Sequence, residues 1–209
     1  MGVDFRVYLV TDRRQARGGD ILAAVAAALD GGIRAVQLRE KDLGGRDLFR
    51  LAEAMRRLTA RYAARLLVND RLDVAYAAGA DGVHLGGGSI PVGEARALLG
   101  TRALIGRSAH TIGEAVAAER DGADFATFGP VYATPSKAAY GPPVGVAALA
   151  AACAAVTIPV FALGGVGPAN MNEALRAGAF GVALISGVVA AADPRAAAAE
   201  LAARFAPGR

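Results

Sequence analysis

The sequence predicts a (β/α)8 barrel formed as a single domain over residues 1–209. Three observations carry the prediction. Eight short apolar runs recur along the chain, Ala-rich amphipathic stretches separate them, and four near-copies of one phrase mark the passage from helix to strand. A chain of 209 residues holds one sizeable core and sits at the lower size limit for eight strand–helix units.

The runs are VYLVTD (7–12), AVQLRE (35–40), RLLVND (65–70), GVHLG (82–86), LIGRSA (104–109), FATFGPV (125–131), PVFALGG (159–165) and GVALISGV (181–188). Each has the length and near-continuous apolar character of a parallel strand buried on both faces. Helices are expected over 20–30, 45–62, 91–99, 111–121, 145–155, 168–177 and 193–205. The repeated phrases are GGIRAVQL (31–38), AGADGVHL (78–85), DGADFATF (121–128) and AGAFGVAL (177–184). In each, glycine supplies the left-handed residue that ends a helix cheaply before the next strand starts. Such alternation implies right-handed parallel crossovers. An open doubly wound sheet is the competing architecture, but no G-x-G-x-x-G follows the first run.

Composition narrows the function classes. The chain is 54% hydrophobic and 20% charged with a formal net charge of +4, and its arginines are scattered rather than clustered. With aromatics at only 6%, a nucleic-acid groove is not expected. No run reaches the roughly 18 to 20 apolar residues needed to span a bilayer, and the start MGVDFRVYLVTDRR lacks a signal-peptide pattern. The lone Cys153 excludes an intrachain disulfide and reads as packing. The expectation is a cytoplasmic protein acting on a small anionic molecule, with a homo-oligomer left open. Of 23 basic residues only Lys41 and Lys137 are lysines, which makes their positions worth locating.

A barrel puts its active site where strands end and βα loops begin. Ser89, Ser108, Ser136, Ser186, Gln37, Asn69, His84, His110, Lys41 and Lys137 all fall at or just after such ends. Gly164, Gly165, Ser186 and Gly187 follow the last two runs and are candidate backbone donors to a phosphate. In QLREK, alternation would put Gln37, Arg39 and Lys41 on one side, although Gln37 could equally be a satisfied core polar group. Asp70 could hold a cation, orient a base, or cap the helix that follows. His84 reads as a buried structural histidine, whereas His110, before a Thr-capped helix start, is placed to exchange protons. The stretch 129–145, with Tyr132, Thr134, Ser136 and Lys137, is long for a βα connection and reads as a binding loop.

Six stretches, YLVTDR, VQLREK, VNDRLDVAYAAGADGVHLG, GRSAHT, FGPVYATPSK and VFALGGV…N…AGAFGVALISGV, resemble the thiamine phosphate synthase/TenI superfamily, in order and over nearly the whole chain. The resemblance implies a (β/α)8 barrel and a thiazole phosphate substrate. It also implies one of two activities. Synthases join a pyrimidine diphosphate to a thiazole phosphate with magnesium; TenI-type tautomerases aromatise a thiazole carboxylate phosphate without a metal or other cofactor. Synthases typically end the fourth strand in HLGQ-x-D, whose Asp helps hold magnesium, whereas this chain reads HLGGGS, with Ser89 in that place. The tautomerase is therefore the expected activity, with His110 catalytic and Gln37, Arg39, Lys41, Asn69, Ser89, Thr134 and Lys137 binding substrate. The synthase, with Mg2+ on Asp70, is the alternative, and a non-catalytic thiamine-related regulator is the third reading.

Overall fold

In a computed structural model, described for residues 2–134 and 142–205, eight parallel strands close into a barrel in the order β1-β2-β3-β4-β5-β6-β7-β8, with helices between them. The strands are β1 (Val7–Val10), β2 (Ala35–Leu38), β3 (Arg65–Asn69), β4 (Gly82–Leu85), β5 (Leu104–Ala109), β6 (Phe125–Phe128), β7 (Val160–Leu163) and β8 (Gly181–Leu184). All eight expected runs contain a strand, most of them trimmed where the βα loop takes over. The helices are α1 (Ile21–Asp30), α2 (Gly45–Ala60), α3 (Leu72–Ala77), α4 (Val92–Leu99), α5 (Ile112–Arg120), α6 (Gly145–Ala155), α7 (Met171–Arg176), α8 (Ser186–Val189) and α9 (Pro194–Ala203). The barrel is thus a single (β/α)8 fold.

One element differs from the sequence expectation. Residues 186–188, read as the end of the last strand, form the start of α8 instead. Val188 and Val189 favour extended backbone, but both are buried, and packing overrides propensity. The helix expected after Asp70 is present as α3, only six residues long.

The glycine phrases behave as expected. Gly32, Gly79, Gly122 and Gly178 all have positive φ, between 62° and 101°, three residues ahead of the first residue of β2, β4, β6 and β8. Chain contacts group into two compact units, Phe5–Val83 with Ile185–Arg209, and Met1–Asp4 with His84–Leu184.

In the first unit, β1 and β2 pair with Tyr8 opposite Ala35 and Val10 opposite Gln37, and β2 pairs with β3 through Val36 opposite Leu66. The α2 stripe of Leu48, Ala52, Met55 and Thr59 is buried. Helix α1 buries Ile21, Ala24, Val25, Ala28 and Leu29, and its end meets α9 closely. A Cβ at Gly31 would collide with the Arg195 carbonyl and approach the Ala198 Cβ to 2.7 Å.

In the second unit, the rings of Phe125, Phe161 and Phe180 stack edge-on at 5.5 and 5.6 Å. Pairs of this geometry add about 0.5–1.5 kcal/mol beyond area burial. Helix α5 starts with the expected threonine cap, completed as a capping box: Thr111 accepts from the Glu114 amide while Glu114 reaches back.

Candidate active site

At the ends of β1 and β2 the carboxylates are already spoken for. Glu40, 5% exposed, accepts from the Thr11 hydroxyl at 2.7 Å and from the Arg13 amide at 3.1 Å, and Arg13 adds an ion pair at 3.2 Å. Asp42 takes Arg13 at 2.6 Å and Arg14 at 2.8 Å, and hydrogen bonds from these two guanidinium groups hold its carboxyl well below the usual range. Both acids adjoining Arg39 and Lys41 are therefore neutralised by other residues. Arg39 is half-buried and Lys41 exposed, and neither forms an ion pair among the described residues. Their positive charge is left for something else. Gln37 takes a different place: it is 3% exposed inside the barrel and donates to the Tyr8 hydroxyl at 3.2 Å. That is the core-polar role the sequence left open, and the fully buried Tyr8 phenol is pushed up by desolvation.

At the end of β3, Asn69 is half-buried and Asp70 exposed. Asp70 does not cap α3, whose N-cap is Arg71 without a side-chain bond. Instead Asp70 has left-handed backbone, φ 66°, a conformation that Asp and Asn tolerate better than other side-chain-bearing residues. Its carboxylate accepts no hydrogen bond among the described residues, although Arg71 lies within electrostatic reach.

At the end of β4 the chain turns through residues 86–89. The Ser89 amide donates to the Gly86 carbonyl at 3.1 Å, and the Ser89 hydroxyl accepts from the Gly86 amide at 2.7 Å. Ser89 thus closes its own turn. Arg107, from β5, donates to the same Gly86 carbonyl. Sequence reasoning did not single Arg107 out, though an arginine inside an apolar strand was a usable signal.

His110, exposed, follows β5 directly, and its Nδ1 bonds the Gly129 carbonyl at the end of β6. A carbonyl only accepts, so Nδ1 carries the hydrogen and Nε2 of the neutral ring carries the lone pair. This is the tautomer a general base needs. Gly129 has no alternative: a Cβ there would strike the Leu163 carbonyl.

After β7, Gly164 and Gly165 have φ 91° and 65°. A Cβ on Gly164 would lie 2.6 Å from Pro130, and one on Gly165 2.6 Å from the Ala133 carbonyl, so the strand-six loop rests on this turn. Asn170 fixes the turn further, accepting from the Gly167 amide at 2.8 Å and donating to the Gly165 carbonyl at 2.9 Å. Tyr132 donates to Glu173 at 3.0 Å, and burial together with that carboxylate pushes its phenol up to about 12. Thr134 is half-buried at the start of the long loop. Lys137 and Ser136 lie outside the described residues. Ser186 and Gly187 are exposed and open α8.

Among the described residues, no group of three or more His, Cys, Asp or Glu could hold a metal. No helix is long and apolar enough to cross a membrane, again among the described residues.

Comparisons with known proteins match this arrangement to one family. A model of the family described as TMP-TENI, thiamine monophosphate synthase, matches residues 7–188. A Geobacter sulfurreducens protein, named provisionally as a thiamine-phosphate synthase, is 64% identical over 92% of this chain and 91% of its own. The thiamine-phosphate synthase of Chloroflexus aurantiacus is 46% identical over 95% of this chain and 92% of its own. The solved structure of a thiamine phosphate pyrophosphorylase from Pyrococcus furiosus superposes with a TM-score of 0.87 at 36% identity, covering 94% of this chain and 93% of that one.

Proposed function

The chain belongs to the thiamine monophosphate synthase family, and from that premise we propose that it is a thiamine-biosynthesis enzyme of the transferase kind, a thiamine-phosphate synthase. In the reaction, the C–O bond between the pyrimidine methylene and its diphosphate breaks, a C–N bond to the thiazole forms, and pyrophosphate departs with the electron pair. The observation that carries this reading is the pair Arg39 and Lys41, left without carboxylate partners because Arg13 and Arg14 engage Glu40 and Asp42. Uncompensated cations at a strand end suit a leaving group that gains charge as the bond breaks. The expectation of a tautomerase, drawn from Ser89, yields here to the names of the relatives, which are synthases.

Magnesium, when bound, would offset charge on the departing diphosphate. Mg2+ binds through one or two carboxylates, keeping waters and substrate phosphates as its other ligands. Asp70, exposed and accepting no hydrogen bond among the described residues, fits that demand with substrate oxygens beside it. Ser89 supplies no charge, and its hydroxyl is engaged by the Gly86 amide. The remaining roles belong to the chain itself. Arg39, Lys41 and Lys137 hold the diphosphate; Asn69 and Thr134 shape the substrate pocket; Gly164, Gly165, Ser186 and Gly187 supply backbone donors to the thiazole phosphate.

One observation favours the tautomerase as a second reading. His110 presents Nε2 as a base, the form needed to remove and return a ring proton. A single experiment separates the two. Purified protein with pyrimidine diphosphate and thiazole phosphate should give thiamine phosphate only when magnesium is present. No product, with aromatisation of the thiazole carboxylate phosphate in a parallel tube, would transfer the assignment to the tautomerase.

A further inference from the structure

Inside the barrel, β4, β5 and β6 bring three polar side chains together. His84 is 3% exposed, and its Nε2 lies 3.0 Å from the Ser108 hydroxyl and 3.4 Å from that of Thr127. Ser108 and Thr127 are register partners across β5 and β6. The histidine ring also tilts against Phe125, with centroids 5.7 Å apart. Burying an imidazole among apolar groups is unfavourable unless its polar atoms are satisfied, and an aliphatic side chain would fill the same volume more simply.

The chain makes specific room for this ring. Gly106 sits in the middle of β5, where glycine weakens a strand and marks a close approach. A Cβ there would lie 2.5 Å from His84 Nδ1 and would collide with the Phe125 ring. Both the polar ring and the missing side chain are costs to the core, and both serve the same contact.

That contact ends at the mouth of the strand. Ser108 is half-buried rather than sealed, one residue before the end of β5 and two before His110. A hydroxyl offers one donor and two acceptor sites. The bond to Nε2 uses one of them and fixes the Ser108 rotamer, so the others are held in a set direction at the open end.

We propose that His84 is a positioning residue, holding the Ser108 hydroxyl in the orientation in which it meets the substrate. This rests on the synthase reading for its kinetic arm. His84→Leu removes the anchor, Ser108→Ala removes the hydroxyl, and His84→Gln keeps a polar group near the Nε2 position. Each single loss should lower kcat about tenfold, the size of one hydrogen bond, with KM changed by less than about twofold. The double variant should be no slower than either single one, since the two residues act as a unit, and His84→Gln should recover most of the rate. Losses that multiply in the double variant overturn the proposal, as does full activity in His84→Leu. If His84→Leu fails to fold, His84→Gln and Ser108→Ala carry the comparison.

A second arm needs no turnover. The chain has only two histidines, so 15N-histidine labelling gives a spectrum with His84 and His110 alone. Inorganic pyrophosphate or thiazole phosphate should shift the His84 Nε2 signal in the wild-type protein, and the shift should vanish in Ser108→Ala. An unmoved His84 signal, or the same shift in Ser108→Ala, overturns the inference. Absence of wild-type turnover overturns the functional reading instead, and the spectrum then decides this proposal by itself.

Discussion

Asp70 combines two properties at one position: a left-handed backbone and a carboxylate that accepts no hydrogen bond among the described residues. Asparagine tolerates the same backbone, so Asp70→Asn separates charge from conformation. We expect it to leave the urea midpoint nearly unchanged and to lower magnesium-dependent turnover by roughly 10²-fold, on the scale of losing a group that stabilises transition-state charge. Asp70→Ala should in addition destabilise the fold by about 1–2 kcal/mol. Equal urea midpoints for the two variants would show that the backbone is not strained there. The Asn-Asp pair stood out in the sequence, but its geometry was not legible there. Asp before a helix is ordinarily a cap, and the choice between cap and left-handed turn depends on which amides the fold leaves within reach. Gln37 was ambiguous for a related reason. Alternation fixed its side of the strand, while its bond to Tyr8 depends on the β1–β2 register.

Two elements share a device that the repeated phrase announced without explaining. Asp81, before β4, accepts the Leu66 amide of β3 at 2.8 Å and takes Arg56 from α2 at 2.9 Å. Asp124, before β6, accepts the Ile105 amide of β5 and takes Arg96 from α4, both at 2.7 Å. In both cases the same aspartate's amide donates to the carbonyl of the residue it caps. Each carboxylate therefore extends a ladder by one bond and ties the preceding helix to it. Asp124→Ala should cost about 1–3 kcal/mol, because the Ile105 amide loses its acceptor. Urea unfolding measures this directly, and a cost under about 0.5 kcal/mol would mean that water replaces the carboxylate. The eight strands were readable because parallel strands buried on both faces leave compact apolar runs between glycines. Helix α8 was not, since so short a segment is decided by packing rather than by period.

For the molecule as a whole, the synthase reading predicts stabilisation by its own product. Pyrophosphate with magnesium at about 100 times its Kd should add about 2.7 kcal/mol, because a ligand that binds only the folded state shifts unfolding by mass action. In a barrel of this size that corresponds to a rise of roughly 5–10 °C in Tm. Scanning calorimetry with and without magnesium reads it, and a Tm indifferent to pyrophosphate would count against a diphosphate site. The architecture also has a temporal side. Helix α1 is made well before α9, yet its end at Gly31 is shaped to fit against Arg195 and Ala198 of that helix. At the usual pace of synthesis, roughly ten seconds or more separate the two. Through that interval the stripe of Ile21, Val25, Ala28 and Leu29 emerges from the ribosome before its eventual neighbour exists. A nascent chain therefore needs protection around α1 for the whole of that interval, and the arrival of α9 ends the exposure.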